Sequence, residues 1–170
     1  MRKVVYAGSF DPITRGHLDI IQQALAVWDH VVIAIGVNPT KTRFFPVDQS
    51  IETILKACRE VGIHEEQITI DSFEGALVRY AERIDATAII RGFRQVSDFE
   101  GEFRQNGINA MVSEMPQVYM ICHTRFLHIS SSAVKEMASL GLDIESFVTP
   151  SVEMAFALRY GGDYTDLSIR

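Results

Sequence analysis

The chain alternates short apolar runs with longer stretches whose apolar residues recur every three or four positions. Lys3-Val4-Val5-Tyr6-Ala7 is apolar and β-branched on consecutive positions, which predicts a strand buried on both faces. Leu18, Ile21, Leu25 and Trp28 follow at helical spacing, widened by Ile20, Ala24 and Val27. This change of period returns along the chain. Residues 31–35 predict a second strand, and a loop over 36–45 leads to a helix from about Pro46. That helix carries Ile51, Ile54, Leu55, Cys58 and Val61 on one face and stops at Gly62. Residues 68–70 predict a third strand, with Ser72 as cap of a helix bearing Leu77, Tyr80, Ala81 and Ile84. Residues 86–90 predict a fourth strand that ends at Arg91-Gly92-Phe93-Arg94. Ser97-Asp98-Phe99-Glu100 is a capping-box pattern and predicts a helix to about Met115. Residues 118–122 predict a fifth strand. Val134, Met137, Ala138 and Leu140 predict a helix stopped by Gly141, and two short helical pieces follow near 143–147 and 150–159. Strands alternating with helices imply an α/β fold, a doubly wound parallel five-stranded sheet with helices on both faces. At 170 residues one domain is expected, over 1–160, with a polar tail at 161–170.

Composition narrows the class of function. The formal net charge is −6, which speaks against a nucleic-acid partner but leaves room for a local basic pocket. No apolar run is long enough to span a bilayer and the start has no signal-peptide core, so no membrane is expected. Cys58 and Cys122 stand in no metal or redox spacing and in apolar settings, which predicts reduced core residues in the cytoplasm.

The chemistry concentrates where strands end. Gly8-Ser9-Phe10-Asp11-Pro12-Ile13-Thr14-Arg15-Gly16-His17 joins the first strand to the first helix. Gly8 and Gly16 allow close backbone approach, and the helix start offers N–H groups and the positive end of its dipole to a phosphate. His17, in the first helical turn, can donate to a phosphoryl oxygen. No Walker Lys-Ser/Thr and no Gly-x-Gly-x-x-Gly is present, so neither a P-loop nucleotidase nor an ordinary dinucleotide dehydrogenase is indicated. In open parallel sheets ligands sit beyond the carboxyl ends of the strands. That rule brings three further groups to the same rim: Lys41, the pair Arg91 and Arg94, and Ser130-Ser131-Ser132. The two arginines either pair with Asp98, Glu100 or Glu102 or wait for an anion. One serine is enough to cap a helix; three in a row supply hydroxyls and N–H groups to a polyphosphate. His30, His64, His123 and His128 show no metal spacing, and no metal-binding residues are expected.

Gly8-Ser9-Phe10-Asp11-Pro12 followed by Thr14-Arg15-Gly16-His17 resembles the T/HxGH signature of the nucleotidyltransferases, whose fold is Rossmann-like. Together with Arg91-Gly92-x-Arg94 and Ile129-Ser130-Ser131-Ser132-x-Val134-Lys135, the motif is most similar to that of the bacterial phosphopantetheine adenylyltransferases. The resemblance runs from about Lys3 to Arg159. It implies transfer of AMP from ATP to 4′-phosphopantetheine, giving dephospho-coenzyme A and pyrophosphate. It also implies feedback by coenzyme A, a homohexamer and a cytoplasmic setting. By the same carry-over His17 stabilises the transition state at the α-phosphoryl group, assisted by Ser9, while Lys41 and Arg91 hold the attacking phosphate. Leu77 lines the pantetheine arm. The ATP contacts carried over are Ser9, Phe10, His17, Gly92, Phe93, Arg94, Glu102, Phe126, Leu127, His128, Ile129, Ser130, Ser131 and Ser132. Mg2+ is expected to be held mainly by ATP and water. A phosphate nucleophile is already ionised near neutral pH, so no side-chain base is needed.

The chain departs from the family pattern in three places. Ser9 stands where many members have Thr, and Asp48-Gln49-Ser50 replaces a more usual Glu-Glu-Arg. Arg125-Phe126-Leu127-His128 replaces a segment that usually carries Trp or Tyr and then Ser-Phe. Competing readings are another small-molecule nucleotidyltransferase, such as one acting on nicotinamide mononucleotide, and a catalytically silent nucleotide-binding module. Thr14, Ser132 and Lys135 speak against the first, and the intact set His17, Lys41 and Arg91 against the second. A class I aminoacyl-tRNA synthetase shares the phosphate-turn logic, but this chain is acidic and has no room for a tRNA-reading domain.

Overall fold

The computed structural model describes residues 1–93 and 113–161. Five strands form one parallel sheet: β1 (Lys3–Gly8), β2 (His30–Gly36), β3 (Ile68–Phe73), β4 (Ala88–Phe93) and β5 (Gln117–Ile121). Their order is β3-β2-β1-β4-β5. Among the described residues five α-helices accompany them: α1 (Arg15–Leu25), α2 (Val47–Glu60), α3 (Leu77–Arg83), α4 (Ser131–Ser139) and α5 (Pro150–Tyr160).

Side chains alternate across each strand, so the two faces of the sheet build two cores. Val4, Tyr6, Ile33, Ile35 and Ile90 face one core, packed with Ile21 of α1, Ile54 of α2, Val134 of α4 and Phe156 of α5. Val5, Val32, Ala34 and Ile89 face the other, covered by Val78, Tyr80 and Ala81 of α3. The Tyr80 hydroxyl donates to Asp71 Oδ2 at 2.7 Å and pins α3 to β3; burial, then this bond, pushes the phenol pKa up. The sheet is thus doubly wound, as the alternation predicts.

The order reverses between β1 and β4, which is the topological switch point of such a sheet. Pairing of β1 with β4 runs from Val4↔Ala88 to Tyr6↔Ile90 and stops there. On the outer sides β1 stays paired with β2 to Gly8↔Ile35, and β4 with β5 to Phe93↔Ile121. The two central strands therefore part at their carboxyl ends, and a cleft opens between Gly8 and Arg91.

Several local expectations change. The fourth strand does not end before Arg91: Arg91, Gly92 and Phe93 belong to β4, because Tyr119, Met120 and Ile121 of β5 pair with them. Ser72 caps nothing. It lies in β3 opposite Ile35, and α3 starts only at Leu77 after Ala76. Residues 143–147 form a turn rather than a helix. The fifth strand sits one residue earlier than expected. The predicted helix from Ser97 and the tail beyond 161 lie outside the described residues, while 113–116 are not helical. Among the described residues no helix is long and apolar enough to cross a membrane.

Both cysteines are free and buried, as expected for core residues. Burial pushes the Cys58 thiol up to about 12. Two consequences follow at alkaline pH. Cys58 stays unmodified by a thiol reagent in native protein at pH 8 and reacts at once in denaturant. Above about pH 8.5 the unfolded chain sheds this proton while the folded chain keeps it, so stability falls as pH rises toward about 12. Urea midpoints of wild type and Cys58→Ala over pH 7–10 check the sign: the wild type loses more with rising pH.

Candidate active site

The turn after β1 is built by packing under it. Phe10 is 1% exposed, and its ring meets Tyr6 and His17 edge-on at 5.3 and 5.2 Å. To place that ring below the turn, Phe10 takes φ +44°, a left-handed conformation that costs a side-chain-bearing residue about 1–3 kcal/mol and has to be held by its surroundings. Asp11, 7% exposed, accepts the Phe44 and Phe45 amides, both at 2.8 Å. Its carboxylate is therefore a fastener between the turn and the loop after β2. Asp11→Ala leaves both amides without this acceptor and is expected to cost about 1–3 kcal/mol, read as a drop in urea midpoint.

Thr14 is the N-cap of α1 and His17 its third helical residue. The Thr14 amide donates to His17 Nδ1 at 3.1 Å, and Thr14 Oγ1 lies 3.0 Å from the same nitrogen. This is a capping box with histidine in the place of the usual Glu or Gln. Because Nδ1 accepts an N–H, the neutral ring is assigned its proton on Nε2, which makes the distal nitrogen a donor. The helix start is less open than a bare phosphate turn: Arg15 N–H donates to the Phe147 carbonyl at 2.9 Å.

A cavity of about 360 Å³ fills the cleft between β1 and β4. Its walls are Tyr6 to Ser9, His17, Arg91, Gly92 and Ser130 to Ser132. A smaller hollow of about 40 Å³ adjoins it, between Thr14, Gly16, His17, Ile20, Gly92, Phe93 and Cys122. Gly92 lines both, and its lack of a side chain is structural: a Cβ there would stand 2.9 Å from the Tyr6 hydroxyl. The main cavity brings three groups far apart in sequence, the phosphate turn, the Arg91 strand end and the serine run, to one rim.

The three serines divide their work. Ser130 caps α4, accepting the Ala133 amide at 3.0 Å. Ser131 donates to the Pro12 carbonyl at 2.7 Å and ties α4 to the turn. Ser132 is exposed at the cavity, and the amides of Ser131 and Ser132 belong to the first turn, where no intrahelical acceptor exists. Lys135, one turn on, holds its Nζ 3.7 Å from Asp11 Oδ2.

Other candidates stand apart. Lys41 is exposed in the loop after β2, with its amide on the Asn38 carbonyl, and does not line the cavity. Leu77 begins α3 and packs half-buried against the second core. Phe10 and Ile129, 1% and 2% exposed, point into the first core, so neither side chain faces a ligand and only their backbone is available. Phe93 stacks on Tyr119 at 4.9 Å. Phe126 is half-buried beside Gly16 with the Arg125 guanidinium 4.6 Å over its ring, Leu127 packs on the core, and His128 is exposed. Arg94 and Glu102 lie outside the described residues.

Two fasteners were not legible in the sequence. Arg43 donates to the Ser9 carbonyl at 2.8 Å, and Asp19, 5% exposed, accepts the His123 amide at 2.9 Å. Asp19 falls among Arg15, Gln22 and Gln23 on the polar side of the predicted helix, so neither residue carried a signal in the sequence.

Comparison with known proteins agrees with this architecture. A cytidylyltransferase-like family model matches residues 5–137. The chain is 40% identical over 162 residues to a phosphopantetheine adenylyltransferase of Heliobacterium modesticaldum, covering 95% of this chain and 94% of that one. It is 39% identical to that of Moorella thermoacetica, covering 95% and 99%. Among solved structures, a Plasmodium falciparum nicotinic acid mononucleotide adenylyltransferase superposes with a TM-score of 0.67 at 16% identity over 100% of both chains. A putative nicotinate-nucleotide adenylyltransferase of Vibrio parahaemolyticus superposes at 0.65 with 16% identity over 96% of both. At such identity these two speak for the fold alone. Family model and sequence relatives together place the chain in the cytidylyltransferase-like nucleotidyltransferases and, within them, in the phosphopantetheine adenylyltransferase family.

Proposed function

We propose that this protein transfers AMP from ATP to 4′-phosphopantetheine, releasing pyrophosphate and dephospho-coenzyme A. The observation that carries the site assignment is His17: fixed through Nδ1, it presents a donor at a cavity shared with Arg91 and the serine run. The substrate's phosphate oxygen attacks the α-phosphorus of ATP as the bond to pyrophosphate breaks. No proton has to be removed from that nucleophile, so the chain's task is positioning and charge stabilisation. His17 Nε2 donates to the α-phosphoryl oxygens as negative charge builds, with Ser9 beside it. Arg91, at the mouth of the cleft, holds the attacking phosphate. Lys41 joins it only when the loop after β2 brings the ammonium inward, since that side chain stands outside the cavity wall. The Ser132 hydroxyl and the first amides of α4 take the departing pyrophosphate, with Arg94 and Glu102 as further ATP contacts.

The described wall of the cavity offers hydroxyls, amides and the Arg91 guanidinium, and among its described lining residues there is no carboxylate. Such a wall suits Mg2+ that arrives on ATP and keeps ATP oxygens and water as ligands, supplying charge neutralisation on the phosphates. Free buried Cys58 and Cys122 accord with a reducing, cytoplasmic setting. A homohexamer, with coenzyme A as a feedback ligand, completes the reading. Exposed Met154 and Leu158 on α5 offer apolar surface for subunit contact.

Pyrophosphate release is measured with MgATP and, separately, 4′-phosphopantetheine, nicotinamide mononucleotide and glycerol 3-phosphate, the last also with CTP. Release with phosphopantetheine alone, with dephospho-coenzyme A found by mass, is the expected result. Release with a different acceptor keeps the His17 role and discards this substrate.

A further inference from the structure

The turn that presents Ser9 is fastened by three side chains, one of its own and two from outside. Ser131 grips the Pro12 carbonyl, and Asp11 grips the amides of Phe44 and Phe45. The third is Arg43, whose guanidinium spans three acceptors: the Ser9 carbonyl at 2.8 Å, the Phe45 carbonyl at 3.2 Å and Ser50 Oγ at 3.2 Å. Arg43 does not line the cavity. Ser9 does, and it is exposed at the tip of the turn, next to Phe10 in its left-handed conformation. An exposed serine followed by a strained residue needs an external hold if its hydroxyl is to keep one direction.

We propose that Arg43 is a positioning residue for the transfer reaction, fixing Ser9 through its carbonyl and tying it to the loop that carries Lys41. Arginine suits the task because its planar fork serves several acceptors at set angles, which a single ammonium does not. Ser50 contributes room as well as an acceptor. It is 4% exposed in the first turn of α2, beside the guanidinium. Serine at this position, where the resembled family more usually has arginine, leaves the space that the Arg43 guanidinium of the loop occupies.

The inference rests on the proposed reaction, and its test separates the two. Arg43→Ala, Ser9→Ala and the double variant are compared with wild type for kcat, KM and circular dichroism. Arg43→Ala is expected to lower kcat at least tenfold, with KM for phosphopantetheine within threefold, since a small misplacement at the reacting centre is costly. In the Ser9→Ala background the same change is expected to cost less than twofold, because the residue it acts through is gone. A kcat within twofold of wild type, or losses that multiply in the double variant, overturn the proposal. If Arg43→Ala does not fold, Arg43→Lys is judged by the same limits. A crystal structure of the variant gives a reading independent of turnover. Displacement of residues 9–11 supports the proposal, and an unmoved turn overturns it even if wild type proves inactive on phosphopantetheine, which is the outcome that discards the reaction.

Discussion

Replacing His17 with alanine lowers kcat by about 10²–10³-fold, the loss that follows removal of one preorganised donor at a developing charge, and leaves MgATP affinity within about tenfold. The two readouts separate because the Nε2 donor matters most when charge on the α-phosphoryl oxygens peaks, which is in the transition state rather than in bound ATP. Alanine also removes the acceptor of the Thr14 amide, so α1 loses its reciprocal cap. His17→Gln divides these effects. Glutamine is a normal capping-box residue at this position, so it can accept the Thr14 amide and keep the thermal midpoint near wild type. Its amide nitrogen still donates, but from a flexible side chain without the fixed direction of the ring, so its kcat is expected to fall, though less than that of alanine. Pyrophosphate release and calorimetric titration with MgATP check both variants. A kcat within threefold of wild type in His17→Ala would make the histidine a cap and nothing more.

Gly92→Ala is expected to lower kcat/KM by about 10²-fold without touching any group that contacts the phosphates. The added Cβ would stand 2.9 Å from the Tyr6 hydroxyl and 3.5 Å from Ile20 Cγ1. Tyr6 is 5% exposed, and its ring rests edge-on against Phe10 at 5.3 Å with the His17 ring 6.4 Å away. Close-packed aromatic rings transmit such a push rather than absorb it. The displacement reaches the side chains beneath His17 and the turn together. Removing the hydroxyl relieves the contact, so Gly92→Ala/Tyr6→Phe is expected to regain at least tenfold in kcat/KM over Gly92→Ala. No regain would mean that the close approach of Tyr6 is not what requires glycine here.

The sheet was legible because strand and helix periods alternate cleanly, and buried runs such as 31–35 have no other use in a chain of this length. What the sequence could not show is where strands end when pairing, not composition, decides. Arg91 and Gly92 read as a loop, yet they are strand because Tyr119 and Met120 lie beside them. Ser72 reads as a cap and is strand for the same reason, facing Ile35. The candidate site was legible in part as a convergence on one rim, since the carboxyl-end rule needs only strand order along the chain; Lys41 is the expected member that stands outside the cavity. The opening of the cleft between β1 and β4 required the observed pairing. The division of labour within Ser130 to Ser132 was likewise hidden, because a hydroxyl's partner, here the Pro12 carbonyl 119 residues away, leaves no local mark. Phe10 and Ile129 show the reverse case: residues of a ligand-binding motif whose side chains serve the core.

The stereochemical course at the α-phosphorus shows whether AMP moves in one displacement onto the substrate's own phosphate. One diastereomer of adenosine 5′-O-(1-thiotriphosphate) is used as donor with 4′-phosphopantetheine, and the configuration of the thiophosphate in the product is assigned. Inversion is the predicted result, as a single in-line attack across the cleft requires. Retention would mean two displacements through an adenylylated side chain, with His17 or a cavity serine as nucleophile, and would contradict the account.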